Sequence, residues 1–149
     1  MAAPKDYRIA NADLAKLINL SPTPTLERVR RLERDGFIDG YVARLNPVKM
    51  EAALLAFVEV SLDRTTEDVL TTFAAAVSAA DEIIECQMVA GGFDYLLKVR
   101  VQDMAAYRKF LGAGLSSLPG IRATHTYMVM EQVKAATRFP VGLPTASKR

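Results

Sequence analysis

The stretch SPTPTLERVRRLERDG, residues 21–36, decides how the first part of this 149-residue chain folds. Ser21 is a residue type that caps helices, and Pro22 fits a first helical position, where the missing N–H has no partner to lose. Pro24 is tolerable in the same turn for the same reason. Gly36 suits the left-handed conformation that commonly ends a helix. The stretch therefore predicts a helix that begins after Ser21 and ends at Gly36.

The two faces of this predicted helix differ in character. At about 100° per residue, Leu26, Val29 and Leu32 define one apolar face, which we expect to be buried. Arg28 lies on the flank, and the opposite face collects Thr23, Glu27, Arg30, Arg31 and Arg34. A solvated helix held by ion pairs, Glu27 with Arg31 and Arg31 with Asp35, is the simplest interpretation. A surface for a polyanion is the alternative.

The flanking sequence favours the polyanion. Leu14, Leu17 and Ile18 recur at helical spacing over residues 11–18, which predicts a short helix before a tight break at Asn19 and Leu20. After Gly36, FIDGYVARLNP predicts a small β-wing that turns at Asp39-Gly40. A helix-turn-helix offers the start of its second helix to base edges, while arginines hold phosphates. We expect the DNA contacts to be Ser21, Thr23, Thr25, Glu27, Arg28, Arg30, Arg31 and Arg34, with Arg44 in the wing, and to weaken steeply with salt.

The rest of the chain predicts a second domain. Its pattern reads strand, helix, strand, strand, helix, strand over residues 54–62, 67–79, 83–90, 95–101, 104–117 and 121–133. This βαββαβ order is the ferredoxin-like pattern. We therefore expect an α+β protein with a winged helix-turn-helix at 1–47, a linker near 48–51, a ferredoxin-like domain to 136 and a loose tail at 137–149.

Charge and cysteine content limit the possible binding partners and the cellular compartment of this protein. Residues 1–50 carry nine Lys or Arg against six acids, and residues 51–134 carry seven against eleven, so a basic module precedes an acidic one. A single cysteine cannot form an internal disulfide, and the amino end lacks the apolar run of a secretory signal. No stretch is apolar over the roughly 18 residues of a membrane helix. We expect a cytoplasmic bacterial protein without a membrane partner.

Catalysis and metal binding find no support in the sequence. Cys86 alternates with its neighbours on a predicted strand, which is typical of an inert core residue. His125 is the only histidine, and no partner near it in sequence suggests a triad. One Cys and one His do not make a ligand cluster, and the Gly91-Gly92 turn lacks the spacing of a phosphate-binding loop. We expect neither an enzyme nor a metal or other cofactor.

Several segments together resemble the Lrp/AsnC family, the feast/famine transcriptional regulators of bacteria and archaea. These segments are LSPTPTLERVRRLERDGFIDGY at 20–41, LLAFVEV at 54–60, GGFDYLLKVRVQDMAAYRKFL at 91–111, LPGI at 118–121 and TYMVMEQVK at 126–134. The resemblance implies a sequence-specific DNA-binding regulator that dimerises through the sheets of its ferredoxin-like domain and assembles into octamers or larger discs. It also implies that small amino acids sit between dimers and alter assembly or DNA binding. Met128 and Met130, on the final strand, are residues that we expect a partner subunit to cover.

The effector site is predicted around the turn at residues 91–94. Gly91 and Gly92 let backbone N–H groups approach a carboxylate, and Asp94 is an acceptor for an ammonium group. A simple turn, with Asp94 capping it, is the alternative. The predicted site is Met88, Gly91, Gly92, Phe93, Asp94 and Met128, where the methionines form an apolar recess unless they are ordinary core residues. Leucine is the expected effector by resemblance, although methionine, isoleucine or phenylalanine would also fit.

Two departures from the family pattern qualify these expectations. MAAPKDYRIA is too short for the first helix that usually closes the three-helix core, so the winged helix-turn-helix looks truncated. Leu14, Leu17, Val29 and Leu32 would then lose part of their cover, and we expect weaker DNA binding than in a full-length parent. In the turn, Gly92 stands where the family commonly has an acid. An amino-acid-binding or oligomerisation module that has lost DNA binding is therefore the alternative function.

Overall fold

A computed structural model describes residues 9–134 of the chain. The chain divides into two compact units, with the division between Arg44 and Leu45. The predicted domain limits at residues 47 and 136 stay predictions, and the tail predicted at 137–149 lies outside the described residues. Within residues 9–134, no helix has both the length and the apolar character needed to cross a membrane.

Two helices make up the described part of the first unit. Helix α1 spans Asn11–Leu17 and helix α2 spans Pro22–Arg34, close to the predicted limits. The chain turns between them at Asn19, whose φ is 55°. The Asn11 side-chain amide donates to the Pro22 carbonyl oxygen at 2.9 Å and so joins the starts of the two helices. The predicted helix-turn-helix order is present.

The start of α2 is held differently from the prediction. Ser21 occupies the cap position, but its side chain makes no capping hydrogen bond. Its carbonyl oxygen accepts the Thr25 hydroxyl at 2.9 Å and the Thr25 backbone N–H at 3.3 Å. Gly36 ends the helix with a φ of 74°, as predicted.

The buried face of α2 also differs from the prediction. Leu26 and Leu32 are 38% and 41% exposed, whereas Thr25 is only 1% exposed. The buried residue of α1, Ala15, is small as well. Helix α1 has only seven residues, so within the described part of the unit its contact covers these small side chains and leaves the leucines partly open.

The predicted β-wing does not form strands. Residues 37–46, which we call the wing segment, form neither a strand nor a helix. The backbone N–H groups of Phe37 and Ile38 donate to the Leu32 carbonyl oxygen at 2.9 and 3.1 Å. Beyond them the side chains are open to solvent, with Tyr41 and Val42 exposed by 74% and 95%. A lone hairpin that buries no apolar face is marginal in water, which explains why the prediction is wrong.

The second unit confirms the predicted βαββαβ order. A turn at residues 47–51 precedes it, in which the Asn46 side-chain oxygen accepts the Val48 N–H at 3.0 Å. The sheet has the order β2-β3-β1-β4 with antiparallel neighbours throughout. Its elements are β1 (Leu54–Leu62), α3 (Glu67–Ser78), β2 (Ile83–Met88), β3 (Tyr95–Val101), α4 (Met104–Lys109) and β4 (Ile121–Met128).

Two elements end more than two residues earlier than predicted. Strand β4 stops at Met128, five residues before the expected end at 133. Helix α4 stops at Lys109, and the chain continues through a wider π turn at Phe110–Gly114 and a tight 3₁₀ turn at Leu115–Ser117. A side chain at Gly114 would meet the Phe110 ring, since an added Cβ would lie 2.6 Å from Cδ2.

The core lies on one face of the sheet. Because side chains alternate along a strand, the pairing of Val58 with Leu97 and of Val60 with Tyr95 puts these residues on the same face. Phe73 of α3 packs there, with its ring centroid 4.6 Å from that of Tyr95. The helices cover this face with Phe73, Val77, Tyr107, Phe110 and Leu115. Neither α3 nor α4 covers the opposite face of the sheet.

Gly120 supports the register between β1 and β4. Its φ is 73°, its carbonyl oxygen accepts the Asp63 N–H at 2.8 Å, and an added Cβ would lie 2.9 Å from Val69 Cγ1. We expect Gly120→Ala to lower the free energy of unfolding by about 1–2 kcal/mol, because the left-handed conformation strains any L side chain. Urea unfolding followed by circular dichroism measures this. Gly112→Ala is the control, since its Cβ would meet nothing within 4 Å; an equal loss in both variants would contradict the prediction.

Candidate DNA-binding surface and effector site

Four exposed guanidinium groups line helix α2. We call Arg28, Arg30, Arg31 and Arg34 the arginine surface, and all four are exposed. If α2 were an ordinary solvated helix, Glu27 would pair with Arg31 and Arg31 with Asp35, but neither ion pair forms among residues 9–134. The ion pair that an arginine of α2 does make joins Arg34 Nε to Asp35 Oδ1 at 3.3 Å. Three of the four arginines thus have no carboxylate within 4.0 Å in the described part of the chain. Their charges are available to an external anion.

The polar residues at the start of α2 divide into accessible and inaccessible ones. Ser21, Thr23 and Glu27 are exposed and lie on or beside the arginine surface. Thr25 is buried, and its hydroxyl already donates to the Ser21 carbonyl oxygen. The prediction that Thr25 contacts DNA is therefore wrong, because its side chain faces the interior and secures the first turn.

Arg44 is exposed in the wing segment, as predicted, although the segment forms no hairpin. The wing segment is joined to α2 by a side-chain hydrogen bond that the sequence analysis missed. The Tyr41 hydroxyl donates to Glu33 Oε1 at 2.7 Å. That bond, with the negative charge of Glu33, raises the pKa of the Tyr41 phenol. A spacing of eight residues across a glycine turn gave no periodic signal from which this pair could be predicted.

The predicted effector turn, residues 91–94, joins β2 to β3 on the surface. Gly91 and Gly92 are exposed, neither has a positive φ, and an added Cβ on either would meet nothing within 4 Å. The fold of this chain therefore does not require glycine at these positions. What the two glycines leave open is access to their backbone N–H groups from outside.

Asp94 has a structural partner. Its Oδ2 accepts the Leu62 N–H at 2.7 Å, its own N–H donates to the Val60 carbonyl oxygen, and its carbonyl oxygen accepts the Val89 N–H. The pairing of β1 with β3 ends at Val60 and Tyr95, so the Leu62 amide lies past the end of this ladder and takes its acceptor from a side chain. The carboxylate keeps Oδ1 and further lone pairs for another donor. Phe93 beside it is half-buried.

The two methionines predicted to form one recess lie far apart. Met88 ends β2 and Met128 ends β4, which are the two edge strands of the sheet. Three strand spacings of about 4.8 Å separate these edges, so the side chains cannot line one recess within a single chain. Met88 is 60% exposed near the effector turn. Met128 packs against the chain's own core, because it pairs with Ala56 on the helix-covered face.

The residues considered for catalysis are also separated. Cys86 is exposed on edge strand β2, so its prediction as a core residue is wrong. Partial burial nonetheless raises the pKa of its thiol, which disfavours the reactive thiolate. His125 lies on the opposite edge strand, beside Tyr127, and pairs across the sheet with Glu59. Within residues 9–134, no group of three or more His, Cys, Asp or Glu could hold a metal ion.

Both units match known domain families. The Lrp/AsnC ligand binding domain family matches residues 55–139, more than half of the chain. The winged helix-turn-helix DNA-binding family matches residues 5–39. The first match contains the effector turn and the second contains the arginine surface.

Curated relatives match over nearly the full length. The chain is 58% identical over 137 residues to the leucine-responsive regulatory protein of Salmonella typhimurium, covering 92% of this chain and 84% of that protein. It is 57% identical, with the same coverage, to the leucine-responsive regulatory protein of Escherichia coli K12.

Solved structures with the same fold belong to the same class of proteins. A transcriptional regulator from Neisseria meningitidis, in complex with L-methionine, has a TM-score of 0.85 and 34% identity, covering 89% of this chain and 86% of that one. An AsnC family transcriptional regulator from Agrobacterium tumefaciens has a TM-score of 0.85 and 37% identity, covering 91% and 88%. The family consists of transcriptional regulators and not of enzymes. The chain belongs to the Lrp/AsnC family and is a DNA-binding transcriptional regulator with an amino-acid-binding domain.

Proposed function

We propose that this regulator binds duplex DNA through the exposed face of α2 and that an apolar amino acid, leucine first among them, controls it from the effector turn. The observation that supports DNA binding is the arginine surface. Within the described residues, Arg34 alone among its four arginines has a carboxylate partner, Asp35. Thr23 and Ser21, at the open start of the helix, are the proposed readers of base edges. Arg44 is a proposed phosphate contact, and the bacterial cytoplasm, with its nucleoid DNA, is the proposed setting.

The effector part rests on the glycine pair. Gly91 and Gly92 have ordinary backbone conformations and free space around them, so the chain's own packing does not explain them. Backbone N–H groups without a side chain beside them suit a carboxylate, and Asp94 retains acceptor capacity for an ammonium group. Leucine is proposed because the curated relatives above are leucine-responsive regulatory proteins. Methionine is the second candidate, because the Neisseria regulator was solved with it.

We further propose that the site is completed by another copy of the chain. One chain supplies the turn and Met88 but not Met128, so the rest of an apolar recess has to come from elsewhere. The sheet face without helices carries Phe57 and Tyr127 opposite each other, and Tyr127 is 48% exposed. Met130, just past β4, is fully exposed. A sheet-to-sheet dimer, assembling further into octamers or larger particles, would cover these residues.

DNA binding through the arginine surface predicts a distinct salt response. We expect Arg30→Ala to reduce the slope of log affinity against log salt by about 1, because each phosphate contact releases condensed counterions. Fluorescence anisotropy with a labelled duplex between low and high salt measures the slope. The matched control is Arg108→Ala, an exposed arginine of α4 in the other unit. Equal slopes in the two variants would contradict the proposed surface. If the parent protein shows no salt-dependent binding to the duplex, the alternative function, an amino-acid-binding module without DNA binding, is favoured.

Effector binding predicts a ligand-dependent gain in stability. We expect leucine, and more weakly methionine, to raise the melting temperature, since ligand at 100 times its Kd adds about 2.7 kcal/mol to the folded state. A thermal-shift screen against the twenty amino acids measures this, with sedimentation velocity on the same samples reporting assembly size. Gly92→Ala should melt like the parent without ligand but show a smaller shift, because its methyl group obstructs the backbone N–H groups. A full shift in Gly92→Ala would rule out the turn as the binding site.

Two substitutions at Asp94 separate its structural role from its proposed binding role. Asp94→Asn keeps an oxygen that accepts the Leu62 N–H, so we expect the unfolding free energy to stay within about 1 kcal/mol while the leucine-induced shift disappears. Asp94→Ala leaves the Leu62 N–H without its acceptor, and we expect the free energy of unfolding to fall by about 1–3 kcal/mol more than in Asp94→Asn. Chemical unfolding with and without leucine measures both. If Asp94→Asn still responds fully to leucine, its carboxylate does not bind the ammonium group.

A further inference from the structure

The wing segment has few attachments to the rest of its unit. After Ile38, no backbone hydrogen bond joins residues 39–45 to another residue within the described range 9–134. The one side-chain hydrogen bond that these residues make there is from Tyr41 to Glu33 in the last turn of α2. Because no strand ladder holds the segment, the position of residues 39–45 relative to α2 depends on this attachment.

The distance along the chain makes this attachment important for Arg44. An extended chain advances by at most about 3.6 Å per residue, so Arg44 lies within roughly 11 Å of Tyr41 along the backbone. Without the Tyr41 attachment, the nearest residue toward α2 that a hydrogen bond holds is Ile38, and the reach measured from α2 roughly doubles to about 22 Å. A phosphate contact from a segment so loosely held would have to order that segment at the moment of binding, which weakens the contact.

Glu33 also has an electrostatic consequence for the arginine surface. Glu33 lies between Arg31 and Arg34 in sequence. If its carboxylate turned toward DNA, it would repel phosphates and attract the neighbouring guanidinium groups away from them. The Tyr41 hydroxyl donates to Oε1 at 2.7 Å, a normal distance for a hydrogen bond between two oxygens. Glu33 makes no ion pair with an arginine within residues 9–134. The hydrogen bond thus holds the carboxylate toward the wing segment.

We propose that Tyr41 is a positioning residue for DNA binding: its hydrogen bond to Glu33 fastens the wing segment to α2, so that Arg44 and the arginine surface engage the same duplex. This inference rests on the proposed function, in which Arg44 contacts a phosphate. Tyr41 touches no DNA in this scheme and acts through Arg44. It lies beyond residues 5–39, the part of the chain that matches the winged helix-turn-helix family.

A double-mutant cycle tests the inference. The variants are Tyr41→Phe, which removes one hydroxyl, Arg44→Ala, and the two combined, each titrated into a labelled duplex. We expect Arg44→Ala to weaken binding several-fold in the parent and by less than about twofold in the Tyr41→Phe background, because contacts that depend on each other are not additive. If Arg44→Ala weakens binding equally in both backgrounds, the positioning role is overturned while the Arg44 contact stands. If Arg44→Ala has no effect in the parent, the Arg44 contact fails first, and the inference fails with it.

Matched variants distinguish positioning from a general effect on the fold. Tyr107→Phe removes a tyrosine hydroxyl that is hydrogen-bonded to Thr126 Oγ1 in the other unit, and should leave the Arg44→Ala effect unchanged. Glu33→Gln keeps an acceptor oxygen and should preserve the coupling, whereas Glu33→Ala should abolish it. Ultraviolet titration of the Tyr41 phenol, identified by difference from Tyr41→Phe, should move to lower pH in Glu33→Ala. Coupling that survives in Glu33→Ala would overturn the proposed attachment.

Discussion

The alternation of side chains along β1 and β3 is the constraint on which the second unit depends. With Val58 opposite Leu97 and Val60 opposite Tyr95, one face of the sheet becomes continuously apolar, and both helices have to cover it. The same register leaves Phe57, Glu59 and their neighbours on the other face. A slip of one residue would exchange the two faces, so the covered core and the open face are set by one pairing.

The pairing of β1 with β3 also explains why Asp94 has both a structural role and a proposed binding role. The ladder between β1 and β3 ends at Val60 and Tyr95, so the Leu62 amide lies past its end, and the Asp94 carboxylate supplies the acceptor. The residue that completes the sheet is therefore the residue proposed to meet an effector's ammonium group. The glycines beside it have no such structural duty. Effector binding at this turn would consequently act directly on the end of β1, which Asp94 contacts at Val60 and Leu62.

The first unit is stabilised by much smaller contacts. Ala15 and Thr25 are the fully buried residues of its helices, and a few hydrogen bonds, such as Asn11 to Pro22 and Thr25 to Ser21, hold the turn between them. Among the four arginines of α2, Arg34 alone has a carboxylate partner within the described residues, and beyond Ile38 the wing segment is joined to α2 through the Tyr41 side chain. A surface with so few internal partners is suited to an external polyanion, because binding does not first have to break internal ion pairs.

The order of elements could be predicted from the sequence because it depends on local chemistry. Pro22 and Gly36 mark the ends of α2, and two-residue alternation identifies β1 and β3; each of these signals operates within a few residues. Only the tertiary structure decided which residues meet. Thr25 proved to be buried where Leu26 was expected, Cys86 proved to be exposed, and Met88 and Met128 lie at opposite edges of one sheet. Burial and pairing depend on which distant elements come into contact, and periodicity along the chain carries no information about those partners. The role of Asp94 illustrates this best, since its carboxylate is needed where β1 continues past its pairing with β3, at a residue 32 positions away in sequence.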